Sequence, residues 1–135
     1  EIPTSIESPR LTKEMLDEGR QFPQMNGREV FRNAITRFPE VINEALVKNN
    51  LTVDDVNMFI PHQANLRITQ LVAKRLGVGM DRMYSNIERY GNTTGASIPI
   101  ALAEAYQEGK IKKDDIVILA AFGAGFTWAS AAIRW

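Results

Sequence analysis

The sequence predicts an α/β fold, a layered mixed β-sheet flanked by helices. Apolar runs of strand length, 56–60 and 116–121, alternate with segments whose apolar residues recur at helical spacing. Glycine and proline punctuate the boundaries, as at Pro61, Gly77 and Gly109. A short glycine link, Gly123-Ala124-Gly125, joins the last two apolar runs as a hairpin.

Residues 1–26, with Pro3, Pro9 and Pro23, are the least periodic part of the chain and read as a connecting segment. Within it, 11–19 predicts a short helix capped by Thr12 and stopped by Gly19. From Arg28 onward, Val30, Phe31, Ala34, Ile35 and Phe38 form one apolar stripe. Pro39 is expected to interrupt that helix and open a second, because proline suits a first turn. Val41, Ile42, Ala45 and Leu46 carry the second helix to a polar stop at Asn49-Asn50. Residues 51–55 connect to the buried strand 56–60, which ends at Pro61-His62. The span 65–76 reads as an amphipathic helix with Ile68, Leu71, Val72 and Leu76 inward and Arg67, Gln70 and Lys74 on another face. Residues 83–85 read as a short strand and 90–95 as a loop. Residues 97–108 form a helix with Ile98, Ala101, Leu102 and Ala105 inward and Pro99 in its first turn. A charged turn over 110–115 leads to strand 116–121 and, past the glycine link, to strand 127–135, which makes four strands in all.

Composition narrows the function. A chain of 135 residues, 44% hydrophobic and 24% charged, is at most one soluble domain with a real core. Lys and Arg (16) balance Asp and Glu (16), which argues against nucleic-acid binding through a basic field. The absence of cysteine excludes disulfides and thiolate metal sites and fits a reducing, cytoplasmic setting. One histidine without clustered carboxylates gives metal binding no support. No apolar stretch approaches the roughly 20 residues of a membrane helix. The N-terminus, Glu1-Ile2-Pro3-Thr4, has neither an initiator Met nor signal-peptide features and reads as a cut end.

Two residues stand out chemically. His62, the sole histidine, follows a strand in Phe59-Ile60-Pro61-His62-Gln63-Ala64-Asn65, and ligands of α/β sheets bind beyond the carboxyl ends of strands. Gln63 and Asn65 add polar groups where free helix N–H groups gather. The bland alternative is a core histidine. Asn92 lies in Gly91-Asn92-Thr93-Thr94-Gly95-Ala96-Ser97, where small residues permit close approach of a ligand, although the same string is good turn chemistry. Together an imidazole and an amide suggest two donors for one carbonyl oxygen. The turn at 123–125 lacks the Lys-Ser/Thr of a phosphate loop; it is a plain hairpin turn or a source of backbone N–H groups for an oxyanion. Arg67 and Lys74, with Arg75 nearby, are either a solvated helix face or a docking surface for an acidic partner.

Four segments, in order and spacing, resemble the C-terminal half of a β-ketoacyl-acyl-carrier-protein synthase III, a condensing enzyme of the thiolase superfamily. They are Met25-Asn26-Gly27-Arg28-Glu29-Val30-Phe31, Pro61-His62-Gln63-Ala64-Asn65-Leu66-Arg67-Ile68, Gly91-Asn92-Thr93-Thr94-Gly95-Ala96-Ser97-Ile98-Pro99 and Ala121-Phe122-Gly123-Ala124-Gly125-Phe126-Thr127-Trp128. The resemblance implies a thiolase-like half-domain over 27–135 whose five-stranded mixed sheet lacks its first strand, placed centrally. It implies a Cys-His-Asn triad in which His62 and Asn92 fill the second and third places, with the cysteine on an N-terminal half. Ala124 takes the place of an oxyanion-hole N–H where the family more often has glycine. Gly27, Phe31 and Asn65 match positions lining the pantetheine and CoA tunnel, and Arg67 and Lys74 match the face that receives acyl-carrier protein. The implied substrates are acyl-CoA and malonyl-acyl-carrier protein, with no cofactor beyond them, and the implied complete enzyme is a homodimer. The chain alone is expected to be inactive and unstable. A related thiolase-fold acyltransferase, a non-decarboxylating condensing enzyme and a non-catalytic carrier-protein-binding half remain as other readings.

Overall fold

The structure, a computed structural model, describes residues 8–135; the reading of the first residues as a cut end, and Pro3, lie outside them. Its elements are α1 (Lys13–Asp17), α2 (Gly27–Lys48), β1 (Met58–Pro61), α3 (Leu66–Leu76), α4 (Ile87–Tyr90), α5 (Ser97–Gln107), β2 (Ile116–Gly123) and β3 (Thr127–Arg134). The sheet order is β1-β2-β3, with β1 parallel and β3 antiparallel to β2. The strand expected at 56–60 is displaced toward the site, to Met58–Pro61.

The pleat sorts side chains onto two faces. Phe59 with Ile116, Ile118, Ala120 and Phe122 packs with Phe38, Ile42 and Val72 of α2 and α3. Met58, Ile60 and Val117 pack with Ala101 and Ala105 of α5. The sheet is therefore the middle of three layers.

Several expectations are corrected. Pro39 does not begin a new helix: α2 runs unbroken from Gly27 to Lys48. Proline cannot donate to the carbonyl four residues back, that of Ile35. Arg75 of α3 fills the vacancy, its Nη1 donating to Ile35 O at 2.6 Å. Arg75 thus braces two helices and does not belong to an outward basic stripe. The inward face of α3 is also rotated from expectation. Leu71 is 36% exposed, while Thr69 and Ala73 are buried with Ile68 and Val72.

The fourth strand, 83–85, reduces to one parallel bridge between Met83 and Phe59, extended by Tyr84 N donating to Phe59 O. Among the described residues no gap marks a missing central strand. β1 lies directly against β2 from Met58↔Val117 to Pro61↔Ala120, so β2 is the central strand of three, and a further strand can join only at an edge.

Thr12 caps its helix as read, and two asparagines cap others. Thr12 accepts from Met15 N, Asn26 from Glu29 N, and Asn65 from Arg67 N, each satisfying an orphan donor of a first turn. Gly77 ends α3 at φ 73, where a side chain would be strained.

Replacing Arg75 with Met should lower stability by about 1 kcal/mol, the usual worth of one hydrogen bond. In a Pro39→Ala background the same change should cost less, because the alanine restores a backbone N–H at position 39 that returns to the Ile35 carbonyl. Denaturant midpoints of the four variants in the cycle measure the difference.

Candidate active site

The site begins at the end of β1. The last rung of the parallel ladder is His62 N donating to Ala120 O at 2.8 Å. Counting by two from Met58 and Ile60 puts the His62 side chain on the α5 face. There it meets Ser97, the first residue of α5, with Nδ1 at 2.5 Å from Ser97 Oγ. Ser97 is buried at 1% exposure, and its oxygen also accepts from Gln63 N at 3.3 Å. His62 is half-buried, and burial pushes its pKa below the ordinary value.

Gln63 does not face the site as a free polar group. It is 1% exposed, and its amide is a clip between two chain segments. Nε2 donates to Pro61 O at 2.7 Å and Tyr84 O at 3.2 Å, while Oε1 accepts from Asn86 N at 3.2 Å. A buried amide with both ends satisfied fixes the β1 terminus against the chain that leads to Asn92.

Asn92 is exposed, in the turn between α4 and α5. Its Oδ1 accepts from Thr94 N at 2.9 Å, so the acceptor end is occupied and the NH₂ end is left to donate outward. Gly91 adopts φ 65, ψ −156, a conformation open essentially to glycine alone. The turn and donor readings of this segment are thus compatible: the turn orients the amide.

Ala124 sits at the tip of the β2–β3 hairpin, beyond the same carboxyl end of β2 whose Ala120 carbonyl receives His62 N–H. Gly125 (φ 76) and Phe126 (φ 50) make the left-handed turn, and Thr127 Oγ1 donates to Ala124 O at 3.1 Å. Below the tip, Phe122 stacks on Trp128 (centroids 6.3 Å apart, planes at 6°), and Arg37 lies 5.0 Å over the Trp128 ring.

The remaining candidates lie farther along the helices. Gly27 is the first residue of α2, Phe31 is partly buried against the core one turn on, and Asn65 is the cap of α3. Arg67 and Lys74 are both exposed on α3, and neither forms an ion pair among the described residues. No hydrogen bond among the described residues joins these five to His62. Ser97 is a hydrogen-bond partner of His62 that sequence reading missed. It was visible only as a small residue after Asn92, and its contact with His62 follows from the alternation of β1 combined with the start of α5. No group of three or more His, Cys, Asp or Glu among the described residues is placed to hold a metal ion, and no described helix is long and apolar enough to cross a membrane.

Comparison with known proteins places the chain in a family. The family profile of the 3-oxoacyl-[acyl-carrier-protein] synthase III C terminal matches residues 46–135. β-Ketoacyl-[acyl-carrier-protein] synthase III of Roseiflexus castenholzii is 52% identical over 124 residues, covering 92% of this chain and 38% of that protein. The Clostridioides difficile protein of the same name is 42% identical over 134 residues, covering 99% and 41%. Among solved structures, the synthase III of Thermus thermophilus superposes with a TM-score of 0.82 at 49% identity, over 83% of this chain and 35% of that one. That of Pseudomonas aeruginosa does so with 0.84 at 35% identity, over 93% and 38%. The chain thus spans about two fifths of the length of these relatives. Its mixed sheet with helices on both faces is thiolase-like, and the chain belongs to the C-terminal domain family of the 3-oxoacyl-[acyl-carrier-protein] synthases III.

Proposed function

We propose that this chain is the C-terminal part of the active site of a chain-initiating condensing enzyme, joining an acyl group from acyl-CoA to malonyl-acyl-carrier protein. The observation that carries this reading is the Ser97-bound imidazole of His62 at the carboxyl end of β1, in a chain of this family. In this scheme, residues 1–26 connect and 27–135 form the half-domain. The nucleophilic cysteine comes from the N-terminal part of the enzyme, since this chain has none.

The chemistry runs in two steps. The cysteine thiolate attacks the acyl-CoA carbonyl, and CoA thiolate leaves. The malonyl thioester then loses CO₂, its electron pair becoming an enolate with negative charge on the thioester oxygen. The enolate carbon attacks the acyl-cysteine carbonyl, and the cysteine leaves as thiolate, giving a 3-oxoacyl thioester. Donors held at the enolate oxygen bind it more strongly than the ground-state carbonyl, and that difference is the rate gain.

His62 is suited to that role as a neutral donor. In this reading the Ser97 hydroxyl, while accepting from Gln63 N–H, gives its own proton to Nδ1. The ring proton then sits on Nε2, facing away from Ser97. Asn92 supplies the second donor, its oxygen being spent on Thr94 N–H. Ala124 N–H serves the acyl-cysteine oxyanion. Gly27, Phe31 and Asn65 line the path of the pantetheine arm, and Arg67 and Lys74 receive the acidic carrier protein, in an association that weakens with salt. The complete enzyme is a homodimer.

Combined with a Cys-bearing N-terminal part, this chain should release CO₂ from malonyl-acyl-carrier protein and form the 3-oxoacyl product. His62→Ala or Asn92→Ala should each reduce that rate by about 10²–10³, the typical cost of one oxyanion donor. Full condensing activity of this chain with no second polypeptide would overturn the reading.

The single histidine gives a direct check on protonation. Its imidazole resonance should titrate with a midpoint below 6.5. Between that midpoint and about 6.5 the unfolded chain binds more protons than the folded one. Stability is therefore fullest above pH 6.5 and falls as the pH drops through that interval. Ser97→Ala should convert a pure Nε2–H tautomer, read from imidazole ¹⁵N shifts, into a mixture.

A further inference from the structure

Glu104, on α5, has a side chain only 16% exposed and both carboxylate oxygens engaged. Oε1 accepts from the Tyr90 hydroxyl at 2.5 Å. Oε2 accepts from Asn86 Nδ2 at 2.7 Å and Arg89 Nη2 at 2.9 Å, with the Tyr84 hydroxyl at 3.5 Å. All four partners lie in the stretch 84–90, which contains α4 and its cap, and Tyr90 is followed directly by Gly91-Asn92.

That convergence has a physical purpose. A helix of four residues is too short to persist alone, since nucleation fixes several dihedrals for one bond. α4 buries none of its residues, so core packing does not hold it either. Its position is set by charge-assisted bonds to one carboxylate, roughly twice as strong as neutral ones. Asn86 also donates its backbone N–H to Gln63, so a continuous line of hydrogen bonds joins Glu104 to the residue after His62. Glu108 completes the set by accepting from Arg89 at 3.2 Å and Tyr84 at 3.0 Å. Burial and then Glu108 push the Tyr84 phenol up to about 12, so it remains a donor throughout the neutral range. Hydrogen bonds from Tyr90 and Asn86 hold the Glu104 carboxyl below the usual carboxylate range, so it remains an acceptor there.

We propose that Glu104 is a positioning residue: by fixing α4 it sets where the Asn92 amide stands relative to His62. This rests on the donor role given to Asn92 above and assigns the element that aims it. An error of about 1 Å in such a group can cost on the order of 10²-fold in rate.

The test uses the complete enzyme, this chain with its Cys-bearing part, and reads two steps separately. Acylation of the cysteine by acyl-CoA does not use Asn92, whereas malonyl decarboxylation and condensation do. Glu104→Gln should slow the second step about tenfold or more and leave the first within about twofold. Added to Asn92→Ala it should cause no further loss in the second step. Tyr90→Phe, which removes one arm of the clamp at a half-exposed residue, should give the same split with smaller size and serves if Glu104→Gln folds poorly. Glu88→Gln removes a carboxylate on α4 that makes no bond among the described residues and should change neither step. Equal loss in both steps, additivity with Asn92→Ala, or an unchanged second step in both clamp variants would overturn the proposal. A normal second step in Asn92→Ala alone would instead overturn the donor role of Asn92, and the positioning role with it.

Discussion

The rung between His62 N–H and the Ala120 carbonyl fixes the rest of the site. It extends the parallel ladder one residue past β1, and in doing so determines which way the imidazole points. A register slip of one residue would turn His62 to the α2 face, away from Ser97. The apolar pattern prevents that slip. Phe59 is buried against one helical layer and Met58 and Ile60 against the other, so the strand has no neutral alternative. Burial on both faces of β1 therefore acts at the site, through the pleat.

Much of this was legible in the residues. The cap Thr12, the stop at Gly77, the hairpin at 123–125 and the inward face of α5 follow from local chemistry, and the structure keeps them. What was not legible depended on partners distant in sequence. Pro39 reads as a helix boundary until Arg75, from another helix, supplies the donor that proline lacks. Residues 83–85 read as a strand because their composition suits one, yet only Met83 pairs with Phe59. Leu71 fits the apolar period of α3 but faces outward, because the buried face of the helix is filled by Ile68, Thr69, Val72 and Ala73. At the site, His62 and Asn92 were visible as residue types, whereas Ser97 and the clip formed by Gln63 required the strands to be laid side by side.

The electrostatic character of the site is uniform. In the proposed reading its groups are neutral hydrogen-bond donors, and its one titratable side chain, His62, is biased toward the uncharged form by burial. The charged groups stand one layer back, with Glu104, Glu108, Arg89 and Lys110 pairing among themselves. This separation is economical: full charges orient the scaffold, and dipoles that need no reorganisation face the place where a charge would develop.

The bond between Arg75 and the Ile35 carbonyl also has an evolutionary meaning. Position 39 and position 75 should therefore vary together, although they sit on different helices. A lineage that replaces the proline with any residue carrying an N–H releases position 75 from its duty. A lineage that first loses the arginine exposes the carbonyl within the groove between α2 and α3. The order of the two changes therefore matters: drift should pass through the loss of proline before the loss of arginine, and sequences holding proline without a donor at 75 should be rare.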